Sequence, residues 1–275
     1  MPACRLQGDR LTAGYEGRRV LDGVDFRVEE GRVTVLLGPN GSGKSTLLKT
    51  LARTLTPEAG RVLLDGRDIH RYRTREVAHR LGILPQSPTA PEGLTVRELV
   101  GMGRFPHQRL WRQWSAADER AVHEAMAIAR VADFAARPVD ALSGGQRQRC
   151  WIAMVLAQET DLILLDEPTT FLDLKVQVEL LELLVKLAHE RGRTLLLVLH
   201  DLNLAAAYAD VLVMLRDGRI EHHGPPETVF TAANLKRVFD LEAEVMRAPN
   251  TGRPICVPGL GTAVGPAHPR HEVSA

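Results

Sequence analysis

The run Val33-Thr34-Val35-Leu36-Leu37-Gly38-Pro39-Asn40-Gly41-Ser42-Gly43-Lys44-Ser45-Thr46-Leu47-Leu48-Lys49 leaves this chain few folds to choose from. An apolar, β-rich segment runs into a glycine loop, and a helix-forming stretch follows. An apolar strand without polar alternation is buried on both faces, as in a parallel sheet. The loop matches G-x-x-x-x-G-K-S without substitution. Its glycines free backbone N–H groups to wrap phosphate oxygens, the helix start adds partial positive charge, and Lys44 brings a point charge to the terminal phosphates of a nucleoside triphosphate. Ser45 can offer its hydroxyl to Mg²⁺. Gly38, Pro39, Asn40, Gly41, Ser42, Gly43, Lys44, Ser45 and Thr46 are therefore the candidate nucleotide ligands.

A second apolar run, Leu162-Ile163-Leu164-Leu165, ends in Asp166-Glu167-Pro168. A buried strand delivers such carboxylates to the carboxyl edge of a sheet, where open α/β folds place their ligands. Neighbouring residues at a strand end point different ways, so Asp166 suits a hydrated Mg²⁺ and Glu167 an attacking water. Pro168 stops the strand.

Between these two features lies Leu142-Ser143-Gly144-Gly145-Gln146. Its turn opens a helix expected from Gln146 to Gln158, with Cys150, Trp151, Met154 and Val155 on one apolar face. That helix start is a second phosphate-binding site in a chain whose nucleotide has one γ-phosphate to share. The economical arrangement is a head-to-tail pair, in which Ser143 and Gly145 of one copy close over the nucleotide held by Lys44 of the other.

With these motifs in this order, the chain closely resembles the ATP-binding cassette family. The resemblance implies an α/β fold: a P-loop (RecA-like) nucleotide-binding core with an N-terminal antiparallel β subdomain and an inserted α-helical subdomain. It implies ATP and Mg²⁺ as ligands, and hydrolysis of ATP to ADP and phosphate with Glu167 as base. Tyr15, in Leu11-Thr12-Ala13-Gly14-Tyr15, stands where the family places an aromatic residue that stacks on adenine. Gln86, in Gly82-Ile83-Leu84-Pro85-Gln86, matches a glutamine that contacts Mg²⁺ and water. His200, after Thr194-Leu195-Leu196-Leu197-Val198-Leu199, matches a histidine that touches the γ-phosphate and aligns Glu167 with water. Asp173, in Thr170-Phe171-Leu172-Asp173, matches a loop that crosses the dimer interface; many members carry a small residue where Phe171 stands. The implied catalytic set is Glu167, His200, Lys44 and Gln86, with Ser45, Gln86 and Asp166 on the metal. Ser143, Gly144, Gly145, Gln146 and Asp173 would come from the partner copy.

One nucleotide-binding domain is expected over 1–257. In it, 1–86 and 159–225 form the β subdomain and core, 87–158 the helical insert, and 226–257 an appendage. Residues 258–275, rich in Gly, Pro, His and Ala, are expected to be a mobile tail. Asp22-Gly23 is expected to turn between antiparallel strands, and Asp217-Gly218 to close a final hairpin over Asp210–Ile220. Thr95-Val96-Arg97-Glu98 reads as a capping box, and Ser115-Ala116-Ala117-Asp118 opens another helix. A long helix is expected from about Leu174 to Arg191, stopped by Gly192, then a strand ending at His200 and a helical appendage over roughly Pro226–Phe239.

Thirty-five basic residues against thirty-four acidic ones give a net charge of +1, too balanced for a dedicated nucleic-acid binder. The three cysteines are scattered, which argues against a disulfide frame or a zinc site. Charged residues precede any apolar run at the N-terminus, so no signal peptide is expected. No stretch reaches the ~18 apolar residues of a spanning helix, so any membrane role is borrowed from partner chains. Glu98 to His107 and Asp166 to Asp173 resemble ATPase subunits of bacterial importers for ferric siderophores, haem and cobalamin. That resemblance implies a second identical ATPase copy, integral permease subunits docked on the helical insert, and indirectly an extracytoplasmic substrate-binding protein. It also implies a peripheral location on the cytoplasmic face of the inner membrane. Trp111 and Trp114 are candidates for the permease contact and equally for core. A soluble, non-transport cassette ATPase, or an importer for another substrate, would share every catalytic residue.

Overall fold

The computed structural model describes residues 4–108 and 114–259; Trp111 and the chain from 260 onward lie outside them. At the amino end, Cys4–Tyr15 (β1) and Arg18–Glu29 (β2) pair antiparallel. Their turn is Glu16-Gly17, with φ of 49° and 79°, the left-handed pair that matches strand twist. Asp22-Gly23, expected to be the turn, lies inside β2. There Gly23 has φ 64° and the pairing slips between Leu11↔Val24 and Ala13↔Leu21. The dipeptide has turn chemistry, but a left-handed glycine within a long strand makes a bulge instead.

Val33–Leu37 (β3) is buried at every residue and leads through the glycine loop into Lys44–Leu51 (α1). Ala59–Leu64 (β4) and Arg67–Asp68 (β5) then rejoin the antiparallel sheet, whose order is β2-β1-β4-β5. Thr74–Ala78 (α2) precedes Leu81–Leu84 (β6). Three helices follow: Val96–Met102 (α3), Ala116–Ile128 (α4) and Gly144–Ala157 (α5). Each opens on a capping box, at Thr95 with Glu98, Ser115 with Asp118, and Ser143 with Gln146. The last explains why α5 starts at Gly144 and not at Gln146. The Ser143 hydroxyl accepts from the Gln146 N–H at 3.3 Å and Gln146 Oε1 accepts from the Ser143 N–H at 3.1 Å, which draws both glycines into the first turn. Arg104, only 3% exposed, pins the three helices together by donating to Asp118 at 2.9 Å, to the Ala157 carbonyl at 2.6 Å and to Glu159 at 2.6 Å.

Leu162–Asp166 (β7), Leu174–Arg191 (α6) and Thr194–Val198 (β8) come next, with Gly192 in the left-handed conformation that ends α6. β8 stops at Val198, short of His200. Asp201 must leave the strand to cap Leu202–Tyr208 (α7), its carboxylate accepting from the Leu204 N–H at 2.8 Å. Val211–Arg216 (β9) and Arg219–Gly224 (β10) form a hairpin closed by Asp217 and Gly218, with φ of 49° and 75°. It is not the final one. Beyond Pro226–Val229 (α8) and Ala232–Phe239 (α9), Ala243–Arg247 (β11) pairs with Pro254–Pro258 (β12). Prolines at both ends of β12 disguise it as a loop, and Pro258 closes this strand instead of opening a tail.

The larger sheet has the order β10-β9-β3-β8-β7-β6, with only β10 antiparallel to its neighbour. Successive side chains of its strands alternate between two cores. Val33, Val35, Leu37, Ile163, Leu165, Leu195 and Leu197 face the helical side. Leu36, Leu162, Leu164, Leu196 and Val198 face the antiparallel sheet and α1. That double burial is what the uninterrupted apolar strands require.

Candidate active site

Because β3, β8, β7 and β6 are parallel neighbours, their carboxyl ends deliver four loops to one edge of the sheet. The glycine loop follows β3, Asp166 and Glu167 close β7, His200 lies just past β8, and Gln86 lies just past β6. Residues far apart in sequence thus share one locus for a topological reason.

The glycine loop is held in a fixed shape. The Lys44 ammonium donates to the carbonyls of Gly38 at 2.8 Å and Pro39 at 3.0 Å, folding the loop back over its own side chain. Gly43 stands at φ 104° as the N-cap of α1. A Cβ on Gly38 would stand 2.3 Å from the Leu215 carbonyl oxygen, so β9 closes the loop from behind. The Ser42 hydroxyl is buried and finds no partner among the described residues, a donor available to an anion in the loop. Burial pulls the Lys44 ammonium below its ordinary range, against the pull of Glu167 and Asp166.

Beside the loop, the Ser45 hydroxyl donates to Asp166 Oδ1 at 3.1 Å. Burial raises the Asp166 carboxyl above its ordinary value, Glu167 adds to that, and Ser45 and Lys49 oppose it. Glu167 is 8% exposed and has φ 54°, a strained backbone for a residue with a side chain. Its Oε1 accepts from His200 Nε2 at 2.6 Å. Its Oε2 accepts from Gln86 Nε2 at 2.6 Å and from the Thr170 hydroxyl at 3.1 Å. Burial opposes ionisation of Glu167, yet the bonds from His200 and Gln86 outweigh it and hold the carboxyl below its ordinary value. A hydroxyl, a carboxylate and a glutamine amide supply hard oxygen donors, the set that Mg²⁺ prefers.

A cavity of about 790 Å³ opens over the glycine loop and Glu167, lined by Tyr15, Asn40, Gly41, Gly43, Lys44, Ser45, Thr46 and Glu167, whereas Gly38, Pro39, Ser42, Gln86, Asp166 and His200 do not line it. Tyr15 is 45% exposed and has Lys49 Nζ 5.9 Å from its ring centroid, so a ring surface is open to a base. Glu16, Arg18, Arg19, Val20, Asp217 and Gly218 also line it; sequence reasoning missed them. The signal available was the turn dipeptide Asp217-Gly218, whose Gly218 N–H donates to the Ser42 carbonyl at 3.1 Å and ties the hairpin to the loop. Ser143, Gly144, Gly145, Gln146 and Asp173 do not line this cavity. They stand at the starts of α5 and α6, with Ser143 and Asp173 as the caps. Phe171 is fully exposed at φ 63°, and Trp114 is 42% exposed with its Nε1–H donating to Glu119 at 3.0 Å.

A mostly parallel sheet, a glycine loop between β3 and α1, and an acidic end to β7 define a P-loop nucleotide-binding protein of mixed α/β class. The chain belongs to the ABC transporter family, whose model matches residues 21–170, and it is an ATP-binding ATPase subunit of that family. It is 50% identical over 248 residues to the achromobactin transport ATP-binding protein CbrD of Dickeya dadantii, covering 90% of this chain and 92% of the relative. It is 48% identical over 264 residues to the ferric enterobactin transport ATP-binding protein FepC of Escherichia coli, covering 96% and 97%. Among solved structures, the dimeric bacterial ABC transporter cassette MJ0796 matches with a TM-score of 0.71 at 29% identity, over 80% of this chain and 98% of that one.

Proposed function

We propose that this chain energises uptake of a ferric siderophore, hydrolysing ATP as one of two identical copies docked on separate permease subunits at the cytoplasmic face of the membrane. The observation that carries the chemistry is the convergence of Lys44, Ser45, Asp166, Glu167, Gln86 and His200 at one sheet edge. The cargo class is supported by the names of CbrD and FepC, each matched at about half identity over nearly all of both chains. Among the described residues no helix is long and apolar enough to cross a membrane, so the passage belongs to the permease. An extracytoplasmic binding protein would read the cargo, which touches nothing in this chain.

In the mechanism, the loop amides and Lys44 hold the β- and γ-phosphates while Tyr15 stacks on adenine. Ser45, Asp166 and Gln86 hold Mg²⁺, which when bound neutralises charge on the phosphate oxygens. Glu167, ionised because of its donors, orients water for in-line attack and takes its proton. His200 holds Glu167 and reaches the γ-phosphate. Ser143 and Gly145 of the second copy, at the positive end of α5, stabilise charge on the equatorial oxygens.

The test is growth on a ferric siderophore as sole iron source by cells lacking the gene, complemented with the natural chain or with Glu167→Gln. Uptake restored by the natural chain alone supports the reading. Unimpaired uptake in the deleted strain, or recovery of a soluble complex without any polytopic membrane protein, defeats it.

A further inference from the structure

Two helices carry the residues assigned to the second copy's ATP, and they are joined to each other inside one chain. Gly145, in the first turn of α5, faces Val176, in the first turn of α6; a Cβ on Gly145 would stand 3.0 Å from Val176 Cγ1. One turn further along each helix, Arg149 donates to the Glu179 carboxylate. The two contacts advance in the same sense along both helices, so the first turns of α5 and α6, which follow the caps Ser143 and Asp173, meet side chain to side chain. Arg149 is 9% exposed, and Glu179 is its only acidic partner among the described residues.

Each helix start carries partial positive charge, so two that approach one another repel. The Arg149–Glu179 ion pair is an attractive contact one turn behind them that opposes this. The geometry points to Arg149 and Glu179 as positioning residues: their ion pair fixes the cap of α5 against the cap of α6, so Ser143, Gly145 and Asp173 reach the second copy as one rigid unit. The proposal rests on the reading that these three residues act across the pair. A misplacement of about 1 Å costs on the order of a hundredfold in turnover, so an ion pair outside the cavity can govern hydrolysis.

The test uses the full chain with Glu179→Gln, which keeps the side chain's shape and removes its charge, and with Glu179→Ala. Turnover is expected to fall about tenfold in the first and towards a hundredfold in the second, with nucleotide affinity and melting temperature of Glu179→Gln unchanged. Turnover within about twofold of the natural chain for both would overturn the proposal, as would a matching loss of ATP affinity, because the damage would then lie in the chain's own cradle. Mixing separates the proposal from the reading beneath it. Lys44→Ala breaks only the cradle, so chains of Lys44→Ala and Glu179→Gln mixed together regain activity at the site built from the two undamaged halves. Ser143→Arg mixed with Lys44→Ala is the control. If the control recovers and the Glu179→Gln mixture does not, Arg149 and Glu179 are not positioning the half-site. If the control itself fails to recover, the paired-site reading falls and takes the proposal with it.

Discussion

Glu167 sits at φ 54° with its carboxylate shared among His200, Gln86 and Thr170. A strained backbone persists only where its surroundings over-determine it, and three donors on one carboxylate do that. Glu167→Gln is expected to bind ATP with unchanged affinity and to turn over at least about a hundredfold more slowly, the lower end of a general base's contribution. Steady-state hydrolysis equal to the natural chain's would remove Glu167 from the role. Thr170→Val deletes one of three donors and is expected to lower stability by about 1 kcal/mol, read as a lower melting temperature. The carboxylate pair was legible from its place after an apolar strand. Thr170 was not, because a hydroxyl three residues along the chain acquires meaning only when the backbone doubles back at Glu167.

At the scale of elements, helix starts were the most readable features and strand partnerships the least. Thr95, Ser115 and Ser143 each cap a helix, since a side chain that accepts from an N–H three residues later is a local interaction visible in sequence; Asp173, read there only as an interface residue, caps α6 as well. The bulge at Gly23, the return of β4 to the antiparallel sheet and the β11–β12 hairpin depend on pairing with distant strands, which local chemistry cannot show. The hairpin turn at Gly218 illustrates this. A Cβ there would stand 2.0 Å from the Val20 carbonyl oxygen, and that backbone cannot move without shifting β2. Gly218→Ala is therefore expected to weaken nucleotide binding and lower the melting temperature, whereas Gly66→Ala, with open space around it, strains only its own turn. Equal losses for the two in a side-by-side melt would refute the wedge. Arg104→Ala takes the guanidinium from Asp118 Oδ1 and leaves Ser115 donating to Oδ2, at a cost of about 1–3 kcal/mol, so the insert's helices should lose hydrogen-exchange protection before the parallel sheet does.

For the whole molecule, the sequence makes a head-to-tail pair the economical arrangement, because one copy offers two helix starts suited to a phosphate. In the structure the cradle and the Ser143 helix start do not meet within one copy. Specific ATPase activity of the isolated chain should therefore rise with chain concentration and plateau once pairs form; a rate per chain constant under dilution would mean that one copy suffices. What the sequence could not show is how the helical layer is tied to itself, since the Arg149 to Glu179 bond links residues whose meeting depends on the packing of two helices. The separation of the two half-sites also has a consequence in information rather than energy. On the proposed pairing, a lone copy can load fuel yet cannot burn it, so the pair acts as a coincidence detector that fires only when two loaded copies meet in the right orientation.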